Sequence, residues 1–144
     1  MIILSMQTYT TRNSNHDKST RMSTYSRDVM PTVWRQYEYS PLDHKARSIR
    51  LFRILSNDRP TGLLKCEMYH ANVDSVYTCL SYVWGPPKLE YWIAVNGKLL
   101  RVRRNLLDFL EQCLKRCAKE FFWIDALCID QQSVFEWNHQ VQQM

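Results

Sequence analysis

Val76-Tyr77-Thr78-Cys79-Leu80-Ser81-Tyr82-Val83, closed by Trp84-Gly85-Pro86-Pro87, is the stretch that decides the fold. It is rich in apolar and β-branched side chains and ends in a glycine and two prolines. That pattern reads as a buried central strand running into a loop. Phe121-Phe122-Trp123-Ile124-Asp125 is a second dense apolar run and reads as another buried strand. The two are expected to be sheet neighbours. Residues 84–87 and 126–131 then form the loops at their carboxyl ends, where α/β sheets tend to take ligands.

The elements around these strands follow from local chemistry. Upstream, Ile49 to about Leu55 suggests a strand. Asn57-Asp58-Arg59-Pro60-Thr61-Gly62 is turn chemistry, and Leu64, Cys66 and Met68 alternate with Lys65 and Glu67. These segments are expected to form an antiparallel pair. Between the two central strands, Asn96-Gly97 separates two apolar runs, 92–95 and 98–102. Asn-Gly in that setting predicts a type I′ hairpin, because both turn positions need positive φ. Asn105 is expected to cap a helix, with Asp108 in its first turn and Lys115, Arg116 and Lys119 in its last. Leu106, Leu110, Cys113 and Cys117 repeat along it at helical spacing. A last helix is expected from about Val134 to Met144. The order of strand, hairpin, helix, strand and helix predicts an α/β domain with a central sheet. Residues 1–35, dominated by Ser and Thr, are expected to be a disordered arm that buries too little surface to offset its ordering entropy.

Composition narrows the function classes. The chain has 144 residues, room for one domain, and 45% of them are hydrophobic, enough for a core. Only 3 residues are glycine, and no phosphate-loop pattern occurs. No apolar run is long enough to span a bilayer, and the start lacks the plan of a secretory signal. A cytoplasmic protein without membrane partners is therefore expected, with thiols kept reduced. The 5 cysteines stand in apolar contexts and read as small buried hydrophobes, so no metal site is expected; Cys113 and Cys117 lack the turn spacing of a zinc site. Net charge is +5, but the basic residues, Arg50, Arg53 and Arg101 among them, are scattered. They read as solvated faces rather than as a nucleic-acid surface.

Five blocks, in order, resemble the heterokaryon incompatibility (HET) domain family of filamentous fungi. They are Tyr39-Ser40-Pro41-Leu42, Leu80-Ser81-Tyr82-Val83-Trp84-Gly85, and Asn96-Gly97 followed by Asn105-Leu106. The others are residues 123–131, Trp-Ile-Asp-Ala-Leu-Cys-Ile-Asp-Gln, and residues 136–144. Trp137 stands where the family usually has Arg, which removes a charge. The family usually continues into a further strand, so the resemblance implies a partial HET domain, 36–144, truncated at its carboxyl end. It also implies a TIR-like (flavodoxin-like) sheet with an added β-hairpin, and a role as a self/non-self recognition effector triggering incompatibility cell death. NAD is the implied substrate when the domain is complete, with no bound cofactor. The implied partners are other HET or NLR-type proteins, or a second copy. A non-catalytic interaction module or decoy, or a non-functional remnant, stands as the alternative.

The candidate site residues lie at the carboxyl ends of the two central strands. Asp125 lines a nucleotide pocket or accepts backbone N–H bonds from its own loop. Ser81 and Tyr82 contact a ligand or fill a polar edge. Trp84 stacks on a base or caps the core, and Gly85 serves the turn. Asp130 and Gln131 suit a ligand or a hydrogen-bond network before the last helix. Glu136 is the candidate for acid/base work, against the alternative of a helix surface residue near a positive helix end.

Overall fold

The computed structural model describes residues 2–5, 34–58, 61–81, 90–116 and 120–143. Their strands are β1 (Ile2–Ser5), β2 (Ser48–Asn57), β3 (Leu64–Asn72), β4 (Thr78–Ser81), β5 (Glu90–Val95), β6 (Lys98–Arg103) and β7 (Phe122–Ile124). Their helices are α1 (Arg104–Arg116), α2 (Asp125–Cys128) and α3 (Val134–Gln143). One mixed sheet runs in the order β1-β4-β7-β2-β3-β5-β6. The domain is therefore α/β, and the two central strands are neighbours, with Thr78 beside Phe122 and Leu80 beside Ile124 in parallel register. β4 begins at Thr78, later than expected, and Val76 is exposed. Among the described residues no helix is long and apolar enough to cross a membrane.

The antiparallel β2–β3 pair forms as expected, from Ser48 beside Asn72 to Asn57 beside Leu64. Gly62 adopts φ +69° and donates to the Asp58 carbonyl at 2.6 Å, which closes the connecting turn. The register slips between Ile54 and Ser56, and the bulge turns Leu55 out to solvent. The β5–β6 hairpin also forms, with φ +50° at Asn96 and +74° at Gly97. Asn96 does more than turn the chain. Its amide accepts from the Met68 N–H at 3.0 Å and donates to the Met68 carbonyl at 2.7 Å, which ties the hairpin to β3.

Helix α1 buries Leu106, Leu107, Leu110 and Cys113, and Phe109 meets the edge of Phe122 on β7. Its start corrects the sequence reading. The helix begins at Arg104, so Asn105 lies inside the first turn rather than capping it. Asp108 pairs with Arg104 one turn back at 2.8 Å. The last turn carries Lys115 and Arg116, as the dipole favours. Asp125, read as the end of a strand, and residues 126–128, read as loop, form the short helix α2.

Two other expectations change. Ile2–Ser5 pairs in parallel with β4, so these residues belong to the sheet and not to an arm. Residues 6–33 of the expected arm lie outside the described residues. Arg50, read as solvated, is 1% exposed. It sits on β2 between β7 and β3, a strand buried on both faces from Ile49 to Phe52.

Candidate functional site

Register places the first group of candidates. The parallel pairing carries Ser5 beside Ser81, and one step beyond the Leu80–Ile124 pair the chain reaches Ser81 and Asp125. The carboxyl ends of β1, β4 and β7 thus share one edge. Asp125 is half-buried at the start of α2, and its Oδ1 accepts from the Ala126 N–H at 2.7 Å. Burial pushes the Asp125 carboxyl above its ordinary value, against the lowering effect of that hydrogen bond. Tyr82, Trp84 and Gly85 lie outside the described residues.

Asp130 and Gln131 form a network in the loop between α2 and α3. Gln131 Nε2 donates to the carbonyls of Asp125 at 2.9 Å and Ile129 at 3.3 Å. Asp130 Oδ1 accepts from the Gln132 N–H at 3.0 Å. The Asp130 N–H in turn donates to Glu136 Oε1 at 2.8 Å. The loop is therefore tied through Gln131 to the Asp125 carbonyl and through Asp130 to Glu136.

Glu136 is not on a helix surface. It is 5% exposed and forms a two-pronged pair with Arg50, Nη1 to Oε1 and Nη2 to Oε2, the latter at 2.9 Å. Arg50 Nη1 also donates to the Cys128 carbonyl at 3.0 Å, and Nη2 to the Ser40 carbonyl at 2.6 Å. The guanidinium lies over the Tyr39 ring, whose hydroxyl donates to the Leu127 carbonyl at 2.9 Å. Burial alone would raise the Glu136 carboxyl, but the hydrogen bonds from Arg50 and the Asp130 N–H outweigh it and hold it below its ordinary value. A general base or acid works best with a pKa near the operating pH and an open path to substrate. Glu136 has neither and acts here as the counter-ion of Arg50.

Sequence reasoning missed Arg50 because nothing near it in the chain marks it. One signal does exist at its partner. Ser133-Val134-Phe135-Glu136 has the spacing of a capping box. Ser133 Oγ accepts from the Glu136 N–H at 3.2 Å, but the carboxylate turns away to Arg50 instead of closing the box.

The cysteines Cys66, Cys79, Cys113 and Cys128 are free and buried. Burial pushes the Cys128 thiol up to about 12, which makes it inert as a nucleophile at neutral pH. Cys117 lies outside the described residues. A cleft of about 810 Å³ opens at the other end of β4 and β7, against Arg47, Tyr77, Thr78, Glu120 and Phe121. None of the described candidate residues lines it.

The comparisons with known proteins agree with the resemblance. No curated protein and no solved structure matches the chain. The family model described as Heterokaryon incompatibility protein (HET) matches residues 77–144. That span holds β4 and the edge that ends in Asp125, the hairpin, α1, and α3 with Glu136. Residues 77–144 thus match the heterokaryon incompatibility (HET) family, the family that the sequence blocks resemble.

Proposed function

We propose that this chain acts in heterokaryon incompatibility as a self/non-self recognition effector whose activation kills the cell. The family match over residues 77–144 carries this reading. On it, the domain is TIR-like and cleaves NAD when complete, in the cytoplasm, alongside other HET or NLR-type proteins or a second copy. Two features support the sheet and ligand parts of the reading. β1, β4 and β7 pair in parallel, with the hairpin and α1 forming the connection from β4 to β7. Ligands of open α/β sheets sit outside the carboxyl ends of the strands, and an acidic residue there can accept a ribose hydroxyl. Asp125 occupies such a position, one residue past the Leu80–Ile124 pair as Ser81 is on β4, with Asp130 and Gln131 in the adjoining loop. Tyr82, Trp84 and Gly85 follow Ser81 in the chain.

The test is induced expression in a fungal host, with growth and cellular NAD followed together. Growth arrest with falling NAD is expected, and Asp125→Ala at equal abundance relieves both. Killing at constant NAD removes the nucleotide mechanism and keeps the effector role. Normal growth overturns the effector role.

A second reading, a non-catalytic interaction module, is favoured by one observation. Both carboxylate oxygens of Glu136, the acid offered by α3, are taken by Arg50. That reading predicts binding to a full-length HET protein without nucleotide turnover. Turnover by the isolated chain would exclude it.

A further inference from the structure

Helix α3 is docked with its polar side inward. Its buried residues are Glu136 and Gln140. Its apolar residues Val134, Phe135, Trp137 and Val141 are 73%, 68%, 47% and 50% exposed. An ordinary surface helix has the reverse arrangement and is held by its apolar stripe. Apart from the edge contact of Phe135 with the His44 ring, what holds α3 is directional. Glu136 pairs with Arg50, Gln140 Nε2 donates to the Ser48 carbonyl at 2.9 Å, and His139 Nε2 donates to the His44 carbonyl at 3.2 Å.

Those contacts are incompletely satisfied. Among the described residues, six buried side-chain polar atoms have no partner. Four of them, His44 Nδ1, Arg50 Nε, Gln140 Oε1 and Gln143 Oε1, belong to α3 or to the residues it docks on. A buried polar atom without a partner carries a desolvation penalty that water would relieve. Undocking α3 hydrates these atoms and the Arg50–Glu136 pair, while its own apolar side chains, Val134, Phe135, Trp137 and Val141, are exposed already. The core of the sheet and α1 keeps its own apolar contacts. The balance is the reverse of that of α1, which buries Leu106, Leu107, Leu110 and Cys113.

We propose that α3 is a releasable strap that undocks as one unit while the sheet stays folded, and that Arg50 is the positioning residue that sets its docking. Released, α3 bares the Arg50 guanidinium, which keeps its own bonds to the Ser40 and Cys128 carbonyls. The domain then has two arrangements of one helix, separated by the making and breaking of a charged cluster. This inference does not depend on the effector reading above.

Amide hydrogen exchange on the full chain tests it. Amides of residues 137–143 should exchange as a group with the Asp130 N–H, which is bonded to Glu136, and at least about tenfold faster than those of Leu51 and Phe52 on β2. Glu136→Gln keeps the shape and removes the charge. It should speed exchange of that group a further ~10- to 100-fold, the range for losing hydrogen bonds to a charged partner, and leave Leu51 and Phe52 unchanged. Arg50→Lys keeps the charge without the fork and should fall between. Equal exchange of α3 and β2 in the unsubstituted chain overturns the proposal. So does a gradient that fades inward from Gln143 with the Asp130 amide unmoved by Glu136→Gln, since that is fraying of a helix end.

Discussion

Helices α1 and α3 lie on the same domain and are held by opposite chemistries. α1 buries three leucines and a cysteine against the sheet, and its charges, Arg104 and Asp108, face water. α3 buries a glutamate and a glutamine and turns two valines, a phenylalanine and a tryptophan outward. Apolar burial is non-directional and roughly proportional to area, so α1 tolerates small shifts but resists removal. The α3 contacts are few and geometric, and they compete with water on nearly equal terms. One helix is therefore part of the core, and the other is fastened to it.

The sharpest contrast comes from one truncation on each side. Leu110→Ala removes a fully buried side chain on α1 and should lower global stability by ~2–5 kcal/mol, read by chemical denaturation. Glu136→Leu strands the Arg50 charge. Breaking a buried pair this way costs about 3–5 kcal/mol when the structure cannot relax. Here α3 can let go, so the global midpoint should shift less than for Leu110→Ala while α3 loses its exchange protection. Adding Arg50→Met to Glu136→Leu replaces both charges by apolar groups and should recover much of that protection. An equal fall in global stability for Leu110→Ala and Glu136→Leu would erase the distinction between the helices.

The same contrast explains what was legible in the sequence. The antiparallel pair, the Asn96-Gly97 hairpin and α1 are written in local periods and turn residues; the first two form as read, and α1 forms with an earlier start. The adjacency of β4 and β7 follows because both runs are too apolar to stand at an edge. The start of α1 is off by two residues, since Arg104 finds Asp108 one turn away and extends the helix past the Asn105 cap position. Ile2–Ser5 is too short to show a period, and its partner lies more than seventy residues on, at Thr78 to Ser81. Arg50 was hidden for a stronger reason. Its acidic partner is 86 residues away, and an arginine between apolar neighbours on a strand looks like a solvated face. The edge at Asp125 was legible as a place, because strand ends are local. How each side chain there is bonded depends on folding.

Acid should separate the helices without any substitution. The Glu136 carboxyl is held below its ordinary value of 4.5, so its contribution is fully present above that pH and is lost as pH falls through the lowered folded value. His44, close enough to favour the ionised carboxylate, works in the same direction. Amides of α3 should therefore lose protection in that acid window before those of α1, whose buried residues include no acid or base that titrates there. Asp125 has the opposite sign. Its folded value is raised above 3.8, so it favours the folded state below that pH and costs stability as pH rises through the raised value. Asp125→Asn should consequently raise the melting temperature at neutral pH. If Asp125 serves a ligand at the sheet edge, that gain comes with lost function, as is usual for residues kept for chemistry rather than for packing. Loss of α1 and α3 protection at one common pH would contradict the assignment of Glu136 as the strap's anchor.

The smallest effects should come from the outward face of α3, and there the expected result is near silence. Val141→Gln and Trp137→Arg replace apolar side chains that are 50% and 47% exposed. Neither removes a contact that holds the helix, and surface changes of this kind usually stay within about 0.5 kcal/mol. On α1 a polar residue at Leu107, 6% exposed, would bury an amide in the core and cost several times more. The two helices thus predict opposite answers to the same change, apolar to polar. Denaturation of Val141→Gln and Leu107→Gln side by side decides it. A loss at Val141 as large as that at Leu107 would mean that the outer face of α3 is packed in solution, and that its polar side is not what fastens it.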